Sequence, residues 1–200
     1  MSGGYFSDAG LFLVDTVLGL YILIVLLRFL FQLTGVDFYN AISQFIVKAS
    51  NPPLRSLRRV VPGFLGIDFA CVVLLVVLTI IWIALTGRPL GVEGLGLLNG
   101  YTPRPICLLI GAIAYLLKLT IWIFVYAIFG RAILSWLSTA SRHPMLQLLH
   151  SFTEPLMAPA RRILPTTSGL DLSPIIVFIV LILVRKLLVQ PLMDLAQNFV

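Results

Sequence analysis

The sequence predicts an all-α membrane protein with four transmembrane helices in two tandem parallel repeats, each with a short amphipathic interfacial helix. Three observations predict this fold class. The 200 residues are 60% hydrophobic and 11% charged, with a mean hydropathy of +1.06, whereas soluble domains carry about 25% charged residues. Four long apolar segments alternate with shorter polar ones. A series of residues also recurs along the chain at one constant spacing.

The four apolar segments are the predicted transmembrane helices. They run from about Leu11 to Leu33, from Phe69 to Leu85, from Ile106 to Leu137, and from Pro174 to Val184. About 20 helical residues cross a bilayer, so the first three are long enough. The fourth meets Arg185 and Lys186, and it crosses only if these side chains reach the interface or face protein. The first ten residues lack the Lys and Arg that begin a cleaved signal peptide, so we expect the first apolar segment to remain in the protein as a transmembrane span.

The internal repeat has an offset of 103 residues. Eight identities follow this offset without a gap, and they pair Arg28 with Arg131, Gln44 with Gln147, Pro52 with Pro155, Arg58 with Arg161, Arg59 with Arg162, Pro62 with Pro165, Gly66 with Gly169, and Asp68 with Asp171. An ordered series of this kind indicates a duplicated module. Each module contains two spans, so the two copies enter the membrane in the same orientation as parallel repeats.

Each repeat also contains a predicted amphipathic helix between its two spans. Apolar residues at positions i, i+3, i+4 and i+7 define one face in each copy, namely Ile42, Phe45, Ile46 and Ala49 in the first and Met145, Leu148, Leu149 and Phe152 in the second. The segments are too short and too polar to cross, so we expect them either at the membrane interface or packed against the spans. We expect prolines, at Asn51-Pro52-Pro53 and Glu154-Pro155, to end both helices.

Domain boundaries and orientation follow from composition and charge. We expect a first repeat over residues 1–90, a Gly/Pro-rich linker over 91–105, and a second repeat over 106–200. Most of the 14 basic residues, which outnumber the 8 acidic ones, lie between spans and indicate membrane orientation rather than nucleic-acid binding. The positive-inside rule predicts cytoplasmic repeat loops and external termini, as in a multi-pass protein of the bacterial inner membrane.

The duplicated Arg-Arg turns are the clearest candidate sites. Arg58-Arg59 and Arg161-Arg162 follow the interfacial helices, and paired guanidiniums suit the phosphates of anionic lipid headgroups or an acidic protein partner. The alternative is that they only set the topology. The duplicated Asp68 and Asp171 precede apolar segments, where they would cap the next helix or pair with the arginines.

Charges inside the spans form a second candidate group. Arg28 and Arg131 serve either as interfacial anchors or as an electrostatic seam between the repeats, with Asp68 and Asp171 as partners. Asp15 and Lys118 occupy equivalent positions with opposite charges, so we expect an orienting salt bridge between them; intramembrane ionisable residues are otherwise functional candidates.

The sequence carries no signature of an enzyme. It lacks GxSxG, HExxH, P-loop and GxGxxG motifs, and its acids do not cluster with metal-ligand spacing. His143 and His150 have no counterparts in the first copy, so neither a metal nor a haem cofactor is expected. Cys71 and Cys107 are expected to be small buried hydrophobic residues.

The second repeat resembles the YggT (or YlmG) family of small bacterial and plastid membrane proteins. The resemblance rests on Arg131-Ala-Ile-Leu-Ser-Trp136, Phe152-Thr-Glu-Pro-Leu156, Pro159-Ala-Arg-Arg-Ile-Leu-Pro165 and Gly169-Leu-Asp-Leu-Ser-Pro174. The first repeat departs from this pattern, with Asn51-Pro52-Pro53 and Phe69-Ala70-Cys71 at the matching positions. The resemblance implies links to haem attachment and nucleoid or division organisation in plastids, and to division and osmotic stress in bacteria.

Two functions from different classes follow from these observations. The first is a non-enzymatic scaffold or assembly factor that presents its basic turns to anionic lipid or a membrane-protein partner. Homo-oligomers are compatible with this role. The alternative is a small oligomeric ion or osmolyte channel or transporter subunit with a pathway between the repeats. A redox or haem enzyme has little support, because the histidines occur in one copy only.

Overall fold

A computed structural model describes residues 5–37, 39–59, 61, 63, 68–87, 104–137, 144–163 and 173–199. These residues form seven α-helices and one π-helical segment, in the order α1 (Tyr5–Thr34), α2 (Ala41–Leu57), α3 (Phe69–Thr86), α4 (Pro105–Leu137), α5 (Pro144–Ile163), α6 (Ser173–Val184), the π segment (Arg185–Val189) and α7 (Gln190–Asn198). The described part of the chain contains no strand, which confirms the predicted fold class. The predicted linker lies almost entirely outside the described residues.

Within the described residues, four helical stretches are long and apolar enough to cross a membrane. They are Ala9–Thr34, Phe69–Thr86, Pro105–Leu134 and Ser173–Asn198. The second has 18 residues and, at about 1.5 Å per residue, just spans a hydrocarbon core of about 30 Å. Large apolar side chains on these stretches face outward, among them Phe12, Val17, Val77 and Phe178. In a multi-pass membrane protein, this apolar surface contacts lipid.

The spans pack in sequence, with α1 against α3, α3 against α4, and α4 against α6 and α7. One core cluster centres on α1 and α3 and includes Ile22, Val25 and Leu75. A second joins α4 to the last helices through residues such as Ala114 and Leu181. Small residues permit close approach between spans: at Gly19, an added Cβ would meet the Trp82 ring at 3.2 Å.

The last span contains the charges that made its crossing uncertain from sequence. The guanidinium carbon of Arg185 lies 5.4 Å from the centroid of the Trp122 ring, and Trp122 in turn stacks on Tyr126. Arg185 therefore faces protein, where a cation–π contact offsets part of its desolvation. Lys186 is exposed. The helix continues through the π segment into α7, whose buried Met193 and Ala196 pack with α4.

Gly35 makes the turn that brings α2 back onto α1. Its φ of 68° is left-handed, a conformation that glycine adopts without steric cost. The next amide, of Val36, donates to the carbonyl of Phe31 at 3.0 Å and closes the helix end. Asn40 then caps α2 by accepting a hydrogen bond from the Ile42 amide at 3.0 Å. These two turns place α2 at the same end of the molecule as the start of α3.

The prediction that prolines end the interfacial helices is wrong. Helix α2 continues through Pro52 and Pro53, and α5 continues through Pro155 and Pro159. Pro52 and its counterpart Pro155 are exposed, as is the preceding turn at Lys48. A carbonyl that loses its amide donor there faces water or lipid headgroups rather than a dry core, so the helix tolerates the proline.

The two interfacial helices are buried to different extents. Helix α2 buries the side that includes Ile46 and Leu54, whereas Phe45, from the predicted apolar face, is 63% exposed. Helix α5 is covered more widely because it also contacts α1. Its Phe152 stacks on Phe124 of α4 at 4.7 Å and meets Phe31 of α1 edge-on at 5.4 Å. Helix α5 therefore joins the two repeats through its contact with α1.

Candidate functional site

A buried arginine of the first span fastens α2 to α1. Arg28 is only 8% exposed. Its Nη1 donates to the carbonyl oxygen of Val47 at 3.1 Å and to Oγ of Ser50 at 2.9 Å. The same nitrogen lies 2.8 Å from Oδ1 of Asn51. Ser50 donates its own proton to the Ile46 carbonyl at 2.6 Å, so its oxygen is free to accept from Arg28.

The second repeat contains the same arrangement 103 residues later. Nη1 of Arg131 donates to Oγ1 of Thr153 at 2.9 Å and to Oε2 of Glu154 at 3.4 Å. Thr153 donates to the carbonyl of Leu149 at 2.8 Å, as Ser50 does in the first repeat. We call this duplicated arrangement the arginine clamp; it consists of Arg28 or Arg131 with its hydroxyl and carbonyl or carboxylate acceptors.

The clamp gives Arg28 partners that were not expected from the sequence. Arg28 was expected either to anchor at the interface or to form an electrostatic seam with Asp68 and Asp171; its hydrogen bonds go to the interfacial helix α2, which is compatible with an anchor. The hydroxyl acceptors were missed. A recurring hydroxyl, Ser50 in one copy and Thr153 in the other, was the available signal.

The first arginine of each dyad pairs with an acid inside the fold. Arg58 bonds to Oδ2 of Asp68 through Nε at 3.1 Å and through Nη2 as well. Asp68 is buried, and although it precedes α3 its side chain makes no capping hydrogen bond. Of the two roles expected for Asp68, the structure therefore shows pairing with the dyad. Its counterpart Asp171 lies outside the described residues.

In the second repeat, Glu154 takes the central position. It accepts from Arg161 at 2.8 Å and from Arg131 at 3.4 Å, and it lies 3.5 Å from Nδ1 of His150. Burial and the nearby Arg131 guanidinium lower the pKa of His150, although Glu154 opposes this. The lowered pKa favours the neutral imidazole at pH 7, and among the described residues the Glu154 carboxylate is shared by two guanidiniums.

The second arginine of each dyad points outward. Arg59 and Arg162 are both exposed, and within the described part of the chain neither makes an ion pair within 4.0 Å. The four predicted dyad residues therefore fall into two kinds. Arg58 and Arg161 hold the fold together, and Arg59 and Arg162 are available for external contacts.

A basic cleft opens between α1 and α2 in the first repeat. It has a volume of about 550 Å³ and is lined by Arg28, Gln32, Gln44, Val47, Lys48 and Arg58. A second depression of about 530 Å³ continues along α2 and is lined by Lys48, Asn51, Pro52, Arg55 and Arg58. We call the first of these the first-repeat cleft. Lys48 was not among the candidate site residues predicted from the sequence.

The predicted pair between Asp15 and Lys118 is not found. Oδ1 of Asp15 instead accepts a hydrogen bond from the indole Nε1 of Trp82 at 2.9 Å, and among the described residues no ion pair joins Asp15 to Lys118. Trp82 also meets Tyr115 edge-on at 5.1 Å. The aromatic side chain of α3 reaches the carboxylate first, because α3 lies between α1 and α4.

Residues with metal-ligating chemistry do not gather in the described part of the chain, which holds no group of three or more His, Cys, Asp and Glu side chains suited to a metal. Cys71 and Cys107 are free and buried. His143 lies outside the described residues.

Comparison with known families detects the same duplication, because one family model matches each half of the chain separately. The model of the CCB3/YggT family matches residues 7–88 and again residues 110–192. The chain belongs to the CCB3/YggT family. Each matched segment contains one arginine clamp, at Arg28 or Arg131, together with the helices that it joins. The resemblance expected from the second-repeat motifs is thus confirmed for both halves of the chain.

Individual relatives cover nearly the whole chain. The chain is 41% identical over 186 residues to uncharacterized protein PA0392 of Pseudomonas aeruginosa, which covers 93% of this chain and 91% of that relative. It is 39% identical over 168 residues to an uncharacterized protein encoded in the proC 3′ region of Vibrio alginolyticus, covering 84% and 86%. Uncharacterized protein YggT of Escherichia coli is 34% identical over 174 residues, covering 87% and 86%. No solved structure matches the chain.

Proposed function

We propose that this protein is a non-enzymatic scaffold of the bacterial inner membrane, which holds two amphipathic helices and their basic turns against the anionic lipids of the cytoplasmic face. The arginine clamp is the observation that carries the proposal. In each repeat, a guanidinium inside the first span is hydrogen-bonded to the interfacial helix. A connecting segment needs no such attachment, whereas a permanent platform at the membrane surface does.

Charge supports the choice of membrane face. The first interfacial helix and its turn carry Lys48, Arg55, Arg58 and Arg59, and the second carries Arg161 and Arg162. The positive-inside rule favours the cytoplasm for such loops. Each Lys or Arg near an anionic leaflet contributes about 1 kcal/mol of attraction. The proposal therefore assigns these turns to the leaflet that is rich in negative headgroups.

The exposed arginines are the residues that would meet a lipid or an acidic membrane-protein partner. Arg59 and Arg162 occupy the same position in the two repeats and are exposed. Their neighbours Arg58 and Arg161 are paired with Asp68 and Glu154. Substituting the exposed pair removes external contacts and leaves the internal ion pairs intact.

The test is the double variant Arg59→Ala/Arg162→Ala, compared with the unmodified protein and with Arg104→Ala. Arg104 is an exposed arginine just before α4, at the opposite end of that helix from the basic turns. We expect the double variant to insert normally and to lose most crosslinked partner and co-purified anionic lipid, while Arg104→Ala keeps both. Unchanged partner capture and lipid content in the double variant would mean that the dyads act in topology alone.

A channel between the repeats receives less support from the geometry. Asp15, a charged residue of the first span, is hydrogen-bonded to Trp82, and Trp82 packs on Tyr115 across α3 and α4. This contact is a closed, largely aromatic one. Ion flux into liposomes that contain the purified protein would favour the channel over the scaffold.

A further inference from the structure

The two repeats differ in how they neutralise equivalent arginines. Arg28 and Arg58 of the first repeat correspond to Arg131 and Arg161 of the second, at the offset of 103 residues. In the second repeat a carboxylate lies between the two guanidiniums, because Glu154 accepts from both Arg131 and Arg161. The second repeat thus supplies its own anion.

The first repeat has no carboxylate at this position. Asn51 stands where Glu154 stands in the second repeat, and its neutral amide oxygen accepts from Arg28 at 2.8 Å. Asp68 pairs with Arg58 from the side of α3. The position between the arginines on α2 therefore lacks the negative charge that its counterpart on α5 carries.

The first repeat also carries two additional cations. Lys48 and Arg55 correspond to the uncharged Ser151 and Ala158 of the second repeat. Lys48 is exposed, and in the described part of the chain it makes no ion pair or hydrogen bond. It lines the first-repeat cleft together with Arg28 and Arg58. Three cations thus line the cleft. Among the described residues, the buried Asp68 is the one carboxylate that forms an ion pair with any of them, and its partner is Arg58.

We infer that the first-repeat cleft binds the phosphate of an anionic phospholipid, which supplies the negative charge that the Glu154 carboxylate supplies in the second repeat. The volume of about 550 Å³ falls within the range of small-ligand sites, which is about 300–1,000 Å³. Lys48 and Arg58 are exposed and would donate directly to phosphate oxygens. Arg28 is buried and would add its positive field.

The surroundings of the cleft favour a lipid over a free phosphate ion. Both helices that form the cleft carry exposed apolar side chains close to it in sequence: Leu33, which follows the lining residue Gln32, is 53% exposed, and Phe45, which follows Gln44, is 63% exposed. A ligand with a charged head and apolar chains would satisfy both the cations and these side chains, whereas an inorganic ion would satisfy only the cations. The choice of a lipid source rests on the proposed role at the anionic membrane face.

The experiment exchanges single residues between the repeats. Phosphatidylglycerol is titrated onto the purified full-length protein in detergent, and bound lipid is counted by native mass spectrometry, with phosphatidylcholine as the uncharged comparison. Asn51→Glu installs the internal carboxylate, and Lys48→Ser installs the second-repeat residue. We expect Lys48→Ser to weaken phosphatidylglycerol binding by about fivefold and Asn51→Glu to weaken it by about tenfold or more.

The converse variant tests for a gain of binding. Glu154→Asn removes the internal anion of the second repeat, and we expect it to add a second bound phosphatidylglycerol. Each variant is shown to be folded by its thermal unfolding transition, and Glu154→Asn is expected to unfold at a lower temperature because it also breaks the ion pairs with Arg131 and Arg161. Unchanged binding in Asn51→Glu and Lys48→Ser would overturn the cleft assignment, even if Arg59→Ala/Arg162→Ala abolished lipid enrichment and so upheld the scaffold. Equal binding of phosphatidylcholine, or saturation by inorganic phosphate alone, would overturn the assignment to an anionic lipid.

Discussion

Replacing Arg28 with methionine should release α2 from α1 without unfolding the spans. Methionine keeps the unbranched apolar stem and removes three hydrogen bonds, to Val47, Ser50 and Asn51. Hydrogen bonds from a charged donor contribute about 1.5–3 kcal/mol each and are not additive, so a loss of about 3 kcal/mol in α2 docking is expected. A loss of this size changes the ratio of docked to undocked helix by roughly 100-fold.

Hydrogen–deuterium exchange of the protein in lipid nanodiscs measures this change directly. The amides of α2 should exchange roughly 100-fold faster in Arg28→Met, because exchange follows the population of the open helix. Helix α5 has its own clamp at Arg131 and provides an internal control in the same sample. In Arg28→Lys, the exchange rate of α2 should lie between those of the unmodified protein and Arg28→Met, since a single ammonium does not reproduce the forked hydrogen bonding of a guanidinium.

Two results would refute the reasoning. Unchanged exchange in α2 would mean that the buried side chains Ile46 and Leu54 hold the helix alone. Equal acceleration in α2 and α5 would mean that Arg28 stabilises the whole bundle rather than one helix. The reciprocal variant Arg131→Met should accelerate α5 and leave α2 unchanged.

Two further predictions concern α5. Phe152→Ala should lower the free energy of unfolding by about 3–5 kcal/mol, which is measured as a lower unfolding temperature in detergent. Ala49→Gly, at the equivalent position of α2, should lower it by only about 1 kcal/mol. Similar losses in the two variants would contradict the bridging role of α5. Burial and Arg131 lower the pKa of His150 from its ordinary value of 6.5. The imidazole of the unfolded chain therefore binds a proton more tightly than that of the folded protein. The free energy of unfolding should be constant above about pH 6.5 and should fall as the pH drops below that value. His150→Val, which copies Val47 of the first repeat, should remove this pH dependence in a thermal-unfolding series, and a persistent dependence would assign the effect to another group.

The duplicated clamp shows how a repeat can keep its architecture and change its chemistry. The hydroxyl acceptors Ser50 and Thr153 preserve the attachment of both interfacial helices. The next residue is Asn51 in one copy and Glu154 in the other, so the interfacial helix offers a neutral amide to its arginine in the first copy and a carboxylate to both arginines in the second. In the second copy both arginines contact one carboxylate of their own interfacial helix, whereas in the first copy Arg28 and Arg58 share none and line a cleft.

The positions of the spans could be predicted because burial in lipid depends on composition and length. About 20 consecutive apolar residues are required to cross the hydrocarbon core wherever they lie in the chain. The repeat was equally visible, since an offset between identical residues needs no knowledge of contacts. The ends of α2 and α5 were predicted wrongly, because whether Pro52 and Pro155 break a helix depends on what surrounds the freed carbonyls.

The lipid environment, the four spans, the duplication and the family could all be predicted from the sequence. These properties depend on local hydropathy and on identical residues that recur at a fixed spacing. The contacts of Arg28 with α2 and of Asp15 with Trp82, and the pairing of Arg58 beside an exposed Arg59, became known only from the packing of the helices. The partner of a charge in a low-dielectric environment is whichever group the packing brings within about 3 Å, and helix packing sets that distance.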